Sequence, residues 1–144
     1  MLSIPNVPDN ISRAICADLL RSLPKLADDT AESLALRDER ALYAFAHLLP
    51  ENAAEADLAV HVVAAQAHAR DAFRTAAGLF NDPEGAGRSR RQAALMIRTA
   101  DTALRALQRM QQQRQKAEDA SQPAAMERAG WRQRANGRGL AVPR

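Results

Sequence analysis

Between Leu58 and Leu79 an apolar residue recurs alternately four and three positions on: Leu58, Val62, Ala65, Ala69, Ala72, Ala76 and Leu79. That spacing draws one continuous stripe on an α-helix and none on a strand. The stripe is mostly alanine, so a neighbouring helix can approach near the low end of the usual ~8–10 Å separation. Alanine also has the highest helix propensity, because it loses no side-chain entropy on folding. Hydrophobic residues make up 47% of the chain but aromatics only 3%, and β-branched residues are sparse. These features predict an all-α fold. At 144 residues the chain is long enough to bury a real core.

Four helices follow from the pattern. The first starts near Pro8–Asn10, with Asp9 or Asn10 as cap, and runs to about Ser22. Ile11, Ile15, Leu19 and Leu23 form its apolar face, and Leu23-Pro24 ends it. The second spans about Ala27 to Leu49, capped by Asp28 or Asp29 and closed by Pro50. Leu34, Ala41, Phe45 and Leu48 share its apolar face, and the charged stretch Arg37-Asp38-Glu39-Arg40 marks a bend or a solvent-facing segment. The third opens at Asn52, whose three-residue spacing to Glu55 is that of a capping box, and runs to about Phe80.

The segment Asn81–Gly87 reads as a loop, short enough that the next helix turns back antiparallel. The fourth helix is expected from about Arg88 to Glu118, roughly 30 residues or about 45 Å at 1.5 Å per residue. Its predicted seam is Ala93, Ile97, Ala100, Leu104 and Leu107, flanked by Met96, Ala103 and Met110. Beyond Met110 the seam gives way to Gln111, Gln112, Gln113, Arg114 and Gln115. From Ala120 on, Pro123, Pro143, glycines and arginines occur with little periodicity. The expected organisation is an antiparallel four-helix bundle over residues 1–119, its last two helices a long coiled-coil-like hairpin, then a disordered basic tail over 120–144.

Charge is divided along the chain. Residues 1–82 hold 12 acidic and 7 basic residues, a net of −5, whereas residues 83–144 hold 5 and 13, a net of +8. The second half is therefore the one suited to an acidic partner. Lysine occurs only at Lys25 and Lys116; the other cations are arginines. A GC-rich genome explains abundant Ala and Arg together, so arginine content alone is weak evidence for nucleic acid.

Arg91, Arg98 and Arg105 are seven apart, with Arg88 and Arg109 one turn beyond at either end. This stripe is the candidate anion or nucleic-acid contact, set beside the apolar seam. The alternative, and the favoured one, is a solvated face whose arginines pair with carboxylates of the acidic half. The tail offers a second candidate, a linear motif at Trp131, Arg132 and Arg134, since Trp and Arg dominate many interfaces; an ordinary tail whose Trp folds back onto the bundle explains the residues equally well.

Other chemistry finds little support. Asp57, His61, His68 and Asp71 lie on one face of the third helix. Two histidines seven apart are ~10 Å apart along the axis, too far to share an ion. No metal site and no cofactor are expected, and the stripe reads as half-exposed with local Asp–His pairs. Gly85-Ala86-Gly87 precedes a helix but follows no strand, so loop closure explains it better than phosphate binding. Cys16 reads as a small buried hydrophobe. No nucleophile elbow or Cys/His cluster is present, and no catalytic residue is assigned. The N-terminus lacks the pattern of a signal peptide, and no run approaches the ~20 apolar residues of a membrane span. A cytoplasmic location is expected, without membrane association.

Leu58–Gln66, with Gln92-Ala93, Arg98-Thr99 and Leu104–Arg109, resembles a family of short, Ala-rich, all-α bacterial proteins. The likeness covers about residues 40–115. It implies a helical fold and brings no activity, cofactor or catalytic residue. Family members often carry a basic or His-containing tail, and this tail departs from the His-containing type. The expected function is a non-enzymatic helical interaction or adaptor protein. Self-association is expected from an apolar surface on the third helix too broad for one neighbour. The alternative is a small nucleic-acid-binding accessory protein using the arginine stripe and the basic tail.

Overall fold

A computed structural model describes residues 3–26, 28 and 30–136, and for residues 122–136 the backbone alone. Four helices follow in order: α1 (Asp9–Ser22), α2 (Ala31–His47), α3 (Ala53–Gly78) and α4 (Pro83–Asn136), with no strand among the described residues. The chain divides into two units, residues 1–108 and 109–144.

In the first unit α1 and α2 pack against each other and both pack against α3. The core joins Ile4 and Val7 of the N-terminal segment, Ile15 and Leu19 of α1, Phe45 of α2, Ala59 and Val63 of α3, and Leu107 of α4. On α3 the buried positions Val62, Ala65, Ala69, Ala72 and Ala76 follow the predicted stripe. On α4 they are Ala86, Ala93, Ala100, Ala103 and Leu107. Both rows advance by seven, the period of helices that keep one seam against a neighbour.

Several local predictions need correction. Ile11 is exposed and Ser12 is buried in its place, donating to the Val7 carbonyl at 3.4 Å. Pro8 takes the cap position of α1 and no side chain caps it, because Asp9 and Asn10 are already inside the first turn. Thr30 caps α2 by accepting from the Ser33 amide at 3.2 Å. Asp28, one of the two expected caps, instead accepts from the Ser33 hydroxyl at 2.9 Å; Asp29 lies outside the described residues. Asn52 caps α3 as expected, accepting from the Glu55 amide at 2.9 Å, while the Glu55 carboxylate accepts from the amide of Glu51, one residue before the cap.

The largest differences are at both ends of α4. It starts at Pro83, five residues before the predicted Arg88. Asp82 accepts from the Gly85 amide at 2.8 Å, and Pro83 occupies the first helical position, where its missing N–H costs nothing. A Cβ on Gly85 would come within 2.1 Å of Asp82 Oδ2, so the glycine makes room for this cap and does not break the helix. At the other end the helix runs through Ala120–Asn136, where a disordered tail was expected. Ala124, Ala125, Met126 and Glu127 are strong helix formers and carry the backbone past Pro123. Residues 137–144 lie outside the described residues. In the second unit, Gln112, Gln113 and Gln115 are exposed as their polarity implies, and Arg114 pairs with Glu118 at 3.4 Å.

Candidate functional site

The arginine stripe is set by the rotation of α4. The predicted seam placed Ile97 and Leu104 inward, but Ile97 is 41% exposed and Leu104 half-buried. Ala93, Ala100 and Leu107 of that seam are buried as predicted, and the flanking Ala103 is buried in place of Leu104. Both lines fit the same sequence, since spacings of three and four alternate; contact with the rest of the fold selects one. At about 100° per residue, Arg98 lies about 160° round the helix from Ala100, and Arg105 about 160° from Ala103 and Leu107. The stripe therefore points away from the seam, not alongside it.

Arg88, Arg91, Arg98 and Arg105 are exposed in the first unit. Arg109 belongs to the second and is exposed there. Arg88 sits 3.8 Å from Asp82 and 4.0 Å from Glu84, carboxylates at the start of its own helix. Arg91, Arg98 and Arg105 make no ion pair among the described residues. The expected pairing of the stripe with the acidic half is thus made by Arg88, through Asp82, and not by Arg91, Arg98 or Arg105. Trp131, Arg132 and Arg134 fall within α4, and their side chains lie outside the described residues.

The histidine stripe is dismantled by tertiary contacts. His68 Nε2 donates to the Ser22 carbonyl at 2.8 Å. Asp71 pairs with Arg74 at 3.2 Å, not with His68. His61 and Asp57 are exposed. No group of three metal-ligating side chains occurs among the described residues. Cys16 is half-buried, and burial raises its thiol pKa, opposite to what a nucleophile needs. No helix among the described residues is long and apolar enough to cross a membrane.

Two further features escaped the sequence. Of the three phenylalanines only Phe45 is buried; Phe73 is 48% exposed and Phe80 90%. The other is a cleft of about 420 Å³ between the α1–α2 link, α2 and α3. Its apolar part includes Leu23, Ala41, Val63 and Ala67, and four arginines, Arg37, Arg40, Arg70 and Arg74, reach it. These arginines come from two helices some thirty residues apart in sequence, so no local pattern announces them. No protein-family profile, no curated protein and no solved structure matches this chain.

Proposed function

We propose that this is a non-enzymatic helical interaction protein that associates with a second copy of itself. The first unit is taken as an antiparallel four-helix bundle in which α3 and α4 form a hairpin across the four-residue link 79–82. The observation that carries the proposal is the uncovered aromatic end of α3. Ala59, Gln66 and Phe73 are seven apart and so lie on one side of the helix. Along that side cover falls steadily: Ala59 is fully buried, Gln66 half-buried and Phe73 exposed. α1 and α2 share the core at Ala56, Ala59 and Val63, and their cover gives out before Phe73.

Ile97 supports the same surface. It follows Ala93 by four residues, as Phe73 follows Ala69. In an antiparallel pair, equivalent positions fall on the same side, so Phe73 and Ile97 face one way. Exposed aromatics with aliphatic neighbours are typical of interface cores, and a two-fold pair meets through the same patch on both copies. The alanine stripe itself, which motivated self-association, is buried within the chain, so the contact surface moves to its end. Changing Phe73 and Phe80 together to Ser tests this by light scattering. The wild type is expected as a dimer at micromolar concentration and the double variant as a monomer with an unchanged helical spectrum. A wild-type monomer at high micromolar concentration contradicts the proposal.

A second function, phosphate-backbone binding by α4, is favoured by a separate observation: Arg91, Arg98 and Arg105 are exposed, unpaired and opposite the seam. Such binding weakens by about one unit of log–log salt slope per neutralised phosphate. Changing Arg98 and Arg105 to Ala is expected to lower affinity for all sequences alike. No mobility shift with duplex DNA, single-stranded DNA or RNA at ~50 mM salt rules this function out.

A further inference from the structure

We infer that the cleft between α2 and α3 binds an anionic amphiphile, a carboxylate or phosphate head on an aliphatic body. Its volume of about 420 Å³ lies within the ~300–1,000 Å³ of small-molecule sites. Leu23, Ala41, Val63 and Ala67 supply an apolar wall with no polar side-chain atom, which suits a hydrocarbon body. The charged groups around it are unbalanced. Four guanidiniums and one carboxylate, that of Asp28, line the cleft. Asp28 is already engaged by the Ser33 hydroxyl.

The arginines divide into two kinds. Arg37 is held in place: Nε and Nη2 donate to Asp38 Oδ1 at 2.9 and 2.7 Å, and Nη1 donates to the Pro24 carbonyl at 3.4 Å. Arg74 is paired with Asp71. Arg40 and Arg70 have no carboxylate partner among the described residues, and Arg70 makes only a 3.4 Å contact to Gln66 Oε1. One of these two stands on each wall, Arg40 on α2 and Arg70 on α3. Arginine forks match a carboxylate or phosphate head through paired N–H donors. The head is therefore assigned to Arg40 and Arg70, and the body to the wall at Val63 and Ala67.

Titration calorimetry of the full chain with decanoate and with decyl phosphate, both below their micelle concentrations, tests the inference. At least one is expected to bind saturably and to raise the melting temperature, as any ligand of the native state does. Decanol and decyltrimethylammonium are expected not to bind. Replacing the exposed Arg40 and Arg70 with Ala is expected to weaken binding by about tenfold or more, the factor of a lost charged hydrogen bond. Ala67→Leu fills the wall while keeping every charge, and is expected to abolish it. Circular dichroism checks that both variants remain folded, and the surface pair R40A/R70A decides alone if A67L does not fold. No binding of either anion, equal binding of decanol, or unchanged affinity in R40A/R70A overturns the inference. So does binding to anionic lipid vesicles that free decanoate does not compete away.

Discussion

His68 of α3 is hydrogen-bonded to the backbone of Ser22 at the last turn of α1, Nε2 donating to the carbonyl at 2.8 Å. The bond joins two helices 46 positions apart in sequence. The last carbonyls of a helix have no intrahelical donor, and here a side chain from the central helix supplies one. The Ser22 hydroxyl satisfies a second such group by donating to the Leu19 carbonyl at 2.7 Å. The end of α1 is thereby fixed beside the α1–α2 link that forms one edge of the arginine-lined cleft.

His68→Ala is accordingly expected to destabilise the fold by about 1 kcal/mol, the net worth of one hydrogen bond with a part-buried partner left unmet. Urea unfolding followed by circular dichroism measures this. A change under about 0.5 kcal/mol, ordinary for surface substitutions, would show that the bond contributes nothing.

Leu49 is the one non-glycine residue with positive φ among the described residues, at 49°. It is also exposed, so its side chain contributes little packing. A left-handed conformation costs a β-carbon-bearing residue about 1–2 kcal/mol. Glycine avoids that cost but loses more chain entropy on folding. Leu49→Gly is expected to leave stability unchanged or raise it by up to about 1 kcal/mol, a rare outcome for a Gly substitution. A loss above 1 kcal/mol in thermal unfolding would place the side chain in a contact that matters.

At the start of α4, Asp82→Ala is expected to lower stability by about 1 kcal/mol through loss of the cap on the Gly85 amide. Gly85→Ala is expected to do the same despite alanine's better helix propensity, because its Cβ would displace the Asp82 carboxylate. Combining the two tests the mechanism. If both act through one cap, the double variant costs much less than the sum of the singles.

These elements also show what the sequence could and could not disclose. The helix-rich class, the α3 stripe and the Asn52 cap were legible because each depends on residues within one or two turns. The α4 start is readable too, in Asp82-Pro83-Glu84, but Gly85 and Gly87 carry an opposing signal as helix breakers. The rotation of α4 was not readable, since Ile97 and Leu104 complete the line through Ala93, Ala100 and Leu107 as well as Met96 and Ala103 do until a neighbour is present. For the same reason the histidine stripe misled: Ser22, the true partner of His68, lies on another helix. The cleft was hidden most completely. Arg37 and Arg40 read as a solvated mid-helix run, and only packing of α2 on α3 brings them towards Arg70 and Arg74.

Burial raises the Cys16 thiol above its ordinary pKa. Below the unfolded-state pKa the thiol is neutral in both states, and the shift is without effect. As pH rises through the interval between unfolded and folded values, the unfolded chain ionises first and stability falls. Alkylation by iodoacetamide at pH 8 is expected to be slower in the native protein than in urea, with its pH midpoint displaced upward. Faster native alkylation would indicate an activated thiol.

Self-association through the end of α3 is tested most directly by where two copies meet. In a Cys16→Ala background, a nitroxide is placed at Thr75, which is exposed and lies about 160° round α3 from Phe73. A second protein carries it at Ala17, exposed on α1. Dipolar coupling between copies is predicted to be clearly stronger for the Thr75 label, which lies outside the patch but at the same end of α3, than for the Ala17 label, and the first should vanish when Phe73 and Phe80 are changed to Ser. Absence of coupling at Thr75 under conditions where the protein is dimeric, or stronger coupling at Ala17, would contradict the proposed interface.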